Sequence, residues 1–137
     1  MEALAEEWRL SNVVFQNWIP TSRLGQFIRS CDVALGVFGK TTKAQRVIPS
    51  KVFDICAVGV AFITADTPAV REVFSHGENA CLVPAYDPQA LADAILELES
   101  NHTLKNRIAA GALHTGESTF SLREIGSDLL EIINEKI

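Results

Sequence analysis

The sequence predicts an α/β protein: a Rossmann-like, three-layer α/β/α domain with a mainly parallel sheet. Three observations point there. Short apolar runs alternate with amphipathic segments along nearly the whole chain. Two of these runs, 32–38 and 60–65, are apolar on both faces, as strands of a doubly covered sheet are. Two cap-then-proline pairs, Thr67-Pro68 and Asp87-Pro88, open segments that follow such runs.

Taken in order, Val13–Trp18 reads as the first strand. Pro20-Thr21-Ser22 starts a helix whose Leu24, Phe27, Ile28 and Cys31 fall at i, i+3, i+4 and i+7. Asp32–Phe38 is a second strand, and a polar loop from Gly39 to Val47 follows. Ser50 caps a helix that places Val52, Ile55 and Cys56 toward the core and closes at Gly59. Val60–Ala65 is the third strand, Ala69–Ser75 a short helix, residues 76–79 a turn, and Ala80–Val83 a fourth strand. Leu91, Ile95 and Leu98 share one face of the helix after Asp87-Pro88, and another helix spans about Thr103–Leu113. In the last helix Ser121 and Glu124 form a capping box, with Phe120 and Ile125 at the staple positions. Leu122, Ile125, Leu129 and Ile132 trace its apolar stripe.

The 137 residues suit one domain, with no internal linker or composition break. A net charge of −5 argues against non-specific nucleic-acid binding, which needs a basic face. No apolar run reaches the roughly 18 residues of a membrane span, and the acidic stretch Met1–Trp8 lacks a signal-peptide core. A cytoplasmic protein is expected, free or peripheral to the inner membrane face. Cys31, Cys56 and Cys81 lie in or beside apolar segments and lack metal-ligand spacing, so they read as buried thiols in a reducing compartment. No metal site is expected.

In parallel sheets ligands bind beyond the carboxyl ends of the strands, and the candidate polar residues concentrate there. Lys51 and Asp54 are three apart on one helix face. A lysine at a helix N-terminus suits a diphosphate, and the neighbouring carboxylate suits a ribose. The same spacing is equally that of a surface ion pair. Lys40, Lys43 and Arg46 share an acid-free loop that could gather phosphate oxygens, and Gly39 would let a ligand approach the backbone. Singly, each of these is ordinary solvated loop. Trp18 and Ile19 end the first strand, where a base could stack, although a tryptophan at a strand end more often enters the core. Glu72 either faces the cleft or, as its place in the short helix favours, accepts from neighbouring amides. No Ser-His-Asp or Cys-His arrangement, dinucleotide fingerprint or P-loop is present.

The ordered series VVFQNWIP, SCDVALGVFGKTTKAQRVIPSKVFDICAVGVAFITADTPAVREVF and GENACLVPAYDPQALADAI resembles the C-terminal, donor-binding domain of bacterial family-4 glycosyltransferases of the GT-B fold, the group 1 type. The resemblance runs from about Val13 to the C-terminus. It implies that Lys51 meets the donor diphosphate, where the loop reading adds Arg46, Lys43 and Gly39 as candidates, and that Asp54 meets the ribose. It implies that Trp18 and Ile19 meet the base, and that Glu72 matches the glutamate after the third strand. Two departures stand out: Asp54 is one methylene shorter than the family's usual glutamate, and Arg46 occupies the place of a glutamate that serves the transferred sugar. Sugar contacts are therefore expected to differ.

The resemblance further implies a nucleotide-diphospho-sugar as substrate rather than a cofactor, a glycan or lipid acceptor, and a retaining reaction. Residues 1–137 would be a single partial domain without the N-terminal acceptor-binding domain, which would be its partner as a domain or subunit. Alone it would bind nucleotide weakly and transfer no sugar. Self-association into a homo-oligomer is expected where strands are missing. The alternative is a non-catalytic nucleotide-binding or interaction module derived from this fold.

Overall fold

A computed structural model describes residues 2–135. Strands β1 (Ala34–Leu35), β2 (Phe62–Ala65) and β3 (Cys81–Val83) form a parallel sheet in the order β1-β2-β3. Ala34 lies opposite Phe62 and Leu35 opposite Ile63, while Ile63, Thr64 and Ala65 face Cys81, Leu82 and Val83. The helices are α1 (Glu2–Glu7), α2 (Thr21–Arg29), α3 (Thr42–Gln45), α4 (Ser50–Val58), α5 (Pro68–Arg71), α6 (Pro88–Ser100), α7 (His102–Ser118) and α8 (Leu122–Glu135).

All four residues of β2 are buried, as the central strand of a covered sheet must be. Because successive side chains leave a strand on opposite faces, β2 feeds two cores. Phe62 joins Val52, Ile55 and Cys56 of α4, with Phe74 and Leu82. Ile63 joins Cys81, Val83, Ala94 and Leu98 of α6, and Ile108 of α7. Phe62 and Phe74 meet edge to face at 5.3 Å, and Phe120 closes the same core against Phe53.

The chain closes α4 as expected, with Gly59 at φ 67° in the left-handed region. Helix α7 reaches Ser118, five residues beyond the expected end. A Cβ on its Gly111 would meet the Glu78 carbonyl at 2.3 Å, and one on Gly116 would touch the Cys56 backbone at 3.0 Å. Only glycine lets α7 lie this close to α4 and to the turn before β3.

Several sequence expectations are corrected. Val13–Trp18 is not a strand: no backbone hydrogen bond ties it to β1, and Val14 and Trp18 are over four-fifths exposed. A lone extended segment gains stability only from a neighbouring strand, and the outer edge of β1 has none among the described residues. The second strand shortens to two residues and is not covered on both sides, since Leu35 is exposed. Ser50 does not cap α4: Pro49 holds that position, and no side-chain cap bond forms. The polar loop contains α3, whose start is capped by the Thr41 hydroxyl accepting from the Ala44 N–H. The capping bond from the Glu124 N–H to the Ser121 hydroxyl is present at 3.2 Å. Yet the stripe of α8 is unpacked, and none of its described residues is buried. Phe120 leaves the staple position to join the core. Cys56 and Cys81 are buried, whereas Cys31 is only half-buried.

Candidate functional site

The carboxyl end of β1 and the start of α4 meet at one rim of the sheet. Helix α4 stands there because its inward stripe, Val52, Ile55 and Cys56, seals against Phe62. Its outer face then carries Lys51 and Asp54, both exposed. The Lys51 ammonium donates to the Gly36 carbonyl at 3.4 Å, a long bond that holds it at the end of β1 while leaving its other protons free. With Pro49 at the cap, the first α4 amides have no side-chain acceptor, so the positive end of the helix dipole is open beside that ammonium. Lys51 and Asp54 line one cleft of about 380 Å³ with Leu24, Phe27, Ile28 and Leu35. Among the described residues the ion pairs are Arg71–Asp66 and Lys105–Asp32, so Lys51 and Asp54 do not neutralise each other.

Gly36 shapes this rim. A Cβ there would lie 2.3 Å from the Thr64 hydroxyl, so the backbone after β1 can rest on Thr64 only because the residue is glycine. The Thr64 hydroxyl also contacts the Val37 carbonyl and N–H at 3.4 Å, which ties the end of β1 to buried β2. Sequence reasoning passed over Thr64, because a lone threonine inside an apolar strand carries no distinguishing pattern.

The other candidates are dispersed. Lys43 is exposed on α3, and Arg46 ends that helix, and neither lines the Lys51 cleft. Gly39 is not demanded sterically, since a Cβ there would meet Ala44 at an ordinary 3.7 Å. The ammonium of Lys40 sits 5.1 Å from the centre of the Tyr86 ring instead of joining Lys43 and Arg46. Trp18 and Ile19 line a neighbouring cleft along α2 with Arg23 and Phe27, and Phe27 is common to both clefts. Trp18 does not enter the core.

Glu72 is exposed at the end of α5, so the expectation that it is a buried acceptor is corrected. Asn79 does that work. Its side-chain oxygen accepts from the Ser75 N–H at 2.7 Å, and its amide donates to the Val73 carbonyl and the Thr115 hydroxyl. A short asparagine in the turn reaches these groups where an outward glutamate on a helix does not. His76 likewise is structural, with Nδ1 accepting from the Leu82 N–H at 3.0 Å. At the end of β2, Asp66 takes two bonds from Arg71, one to Nη2 at 2.6 Å. Those bonds hold its carboxyl below the usual carboxylate range. Burial pushes the Cys56 thiol up to about 12 and the Cys81 thiol to about 11, so neither is a nucleophile at neutral pH. Among the described residues no group of three His, Cys, Asp or Glu side chains could hold a metal. No helix there is long and apolar enough to cross a membrane.

Comparison with known proteins adds relatives to this geometry. A family model described as "Glycosyl transferase-like" matches residues 2–131. The chain is 28% identical over 116 residues to the O-antigen biosynthesis protein RfbC of Myxococcus xanthus, covering 85% of this chain and 9% of that protein. It is 46% identical over 57 residues to a phosphatidyl-myo-inositol mannosyltransferase of Mycobacterium leprae, covering 41% of this chain and 15% of that one. Among solved structures, Anabaena HepE in complex with UDP-glucose matches with a TM-score of 0.79 at 18% identity, over 98% of this chain and 35% of its own. At that identity the match establishes the fold. The chain thus spans a small part of the curated relatives' length and about a third of the solved neighbour's.

Proposed function

Because the chain belongs to the glycosyl transferase-like family, we propose that it is the donor-binding part of a glycosyltransferase that uses a nucleotide-diphospho-sugar. One observation carries the reading. The Lys51 ammonium and the uncapped start of α4 converge at the end of β1, with Asp54 one turn along in the same cleft. That arrangement suits a diphosphate followed by a ribose.

The finer parts of the reading are family-4 character, placement as the C-terminal domain, a glycan or lipid acceptor, and retention at the transferred carbon. Support for them comes from the sequence resemblance and, for the acceptor alone, from relatives named as an O-antigen biosynthesis protein and a phosphatidyl-myo-inositol mannosyltransferase. In this reading Lys51 and the α4 amides stabilise charge growing on the leaving diphosphate, and Asp54 accepts from ribose hydroxyls. Lys43 and Arg46 act from the α3 segment, and Trp18 and Ile19 meet the base from the adjoining cleft. The acceptor would come from a further domain, so this chain alone binds nucleotide and transfers nothing.

The test is a titration of the 15N-labelled chain with UDP and GDP. One of the two should shift amides of residues 36–37 and 50–54 saturably, and Lys51→Ala should weaken that binding at least about tenfold, as the loss of one charge-assisted contact does. No shift in this region at millimolar nucleotide would refute the reading.

A further inference from the structure

A second cleft opens at the same end of the sheet but on the α6 face, away from Lys51. Its volume is about 420 Å³, and its walls are Phe38, Tyr86, Asp87, Pro88 and Leu91. The chain leaving β3 is bent back over the sheet end, and the Tyr86 N–H donates to the Phe38 carbonyl at 2.9 Å. That turn sets Tyr86 at φ 63°, in the left-handed region that an aromatic residue rarely adopts. The ring is 74% exposed and forms one wall of the cleft, with the Lys40 ammonium over it. Nothing in the core requires an aromatic side chain at this position. At the rim, Asp87 uses Oδ1 to cap α6 through the Ala90 N–H at 3.0 Å, which leaves Oδ2 turned to no hydrogen-bond donor among the described residues.

We propose that this cleft is a subsite for a pyranose ring, stacked on Tyr86 and bordered by Lys40 and Asp87. A pyranose presents apolar C–H faces and a girdle of hydroxyls. An apolar floor with one ammonium and one carboxylate oxygen at its edge offers complementary surfaces to both. An alkyl chain would leave both charged groups unused. The choice of a sugar over other amphiphilic rings rests on the glycosyltransferase reading, but the site shares no residue with the Lys51 cleft. The ring could belong to an acceptor glycan or to the donor's own sugar.

The test follows Tyr86 ring and Leu91 methyl resonances of the full chain with methyl α-D-glucopyranoside, methyl α-D-mannopyranoside, UDP-glucose and UDP. A saturable shift with a free glycoside supports a glycan ring. A shift with UDP-glucose that neither UDP nor a glycoside reproduces supports the donor's sugar. In either case Tyr86→Phe should retain the response, and Tyr86→Ala should weaken it about tenfold, the loss of one aromatic contact. Tyr86→Ala should leave the UDP response near Lys51 intact. No shift with any sugar at tens of millimolar overturns the proposal. So do shifts that follow protein concentration without sugar, which would mark a second copy as the occupant. Failure of the nucleotide reading appears separately, as silence near Lys51 with UDP and GDP.

Discussion

Gly36 couples the rim to the core. An alanine there would place its Cβ 2.3 Å from the Thr64 hydroxyl and 3.3 Å from the Thr64 Cα, and the buried β2 backbone cannot retreat. Gly36→Ala should therefore destabilise the chain by about 1–3 kcal/mol, the usual range for overpacking. It should also weaken nucleotide binding, because the carbonyl that holds Lys51 moves with it. Thermal unfolding followed by circular dichroism checks this, and an unchanged midpoint would show that the clash is relieved without cost. The Asp66–Arg71 pair is a different case. Its carboxyl is held below the usual range, but Arg71 is 63% exposed, and solvent screens such a pair so that it adds little to stability. It orders the end of β2 more than it stabilises the fold.

Among the elements, α8 and α4 are opposites. Helix α4 buries Val52, Ile55 and Cys56, whereas α8 leaves Leu122, Leu129 and Leu130 more than half exposed. A 14-residue helix without tertiary packing is marginal in water. Amide hydrogen exchange should find α8 unprotected while α4 and β2 exchange only through global unfolding. Leu129→Ser should shift stability by about 0.5 kcal/mol or less, against about 2–5 kcal/mol for Leu98→Ala in the core. Strong protection across α8 would mean that something covers its stripe. This contrast also explains what the sequence made legible. The buried face of α4, its glycine stop and the caps at Thr67, Asp87 and Ser121 are local patterns, and all are present. The burial of a stripe, or the pairing of Val13–Trp18, depends on a neighbour that no local pattern names. Asn79 was missed in favour of Glu72 because which turn residue reaches the free amides is set by the three-dimensional path. Tyr86 was missed because a left-handed residue normally announces itself as glycine.

At the scale of the molecule, the three-stranded sheet has, among the described residues, an unpaired flank along β1, next to exposed Leu35 and Val37. An open edge beside apolar side chains is a template for another chain. Sedimentation should show association that grows with protein concentration, and Leu35→Lys should reduce it. A monomer at about 100 μM, a range in which exposed edges commonly aggregate, would contradict this. The glycines of α7 bear on motion as well as packing. Gly111 is seated on the turn before β3 and Gly116 on the α4 backbone, so α7 can neither slide nor roll without a collision. The bend at residues 119–121, pinned by Phe120 against the core, therefore fixes where α8 leaves this rigid body.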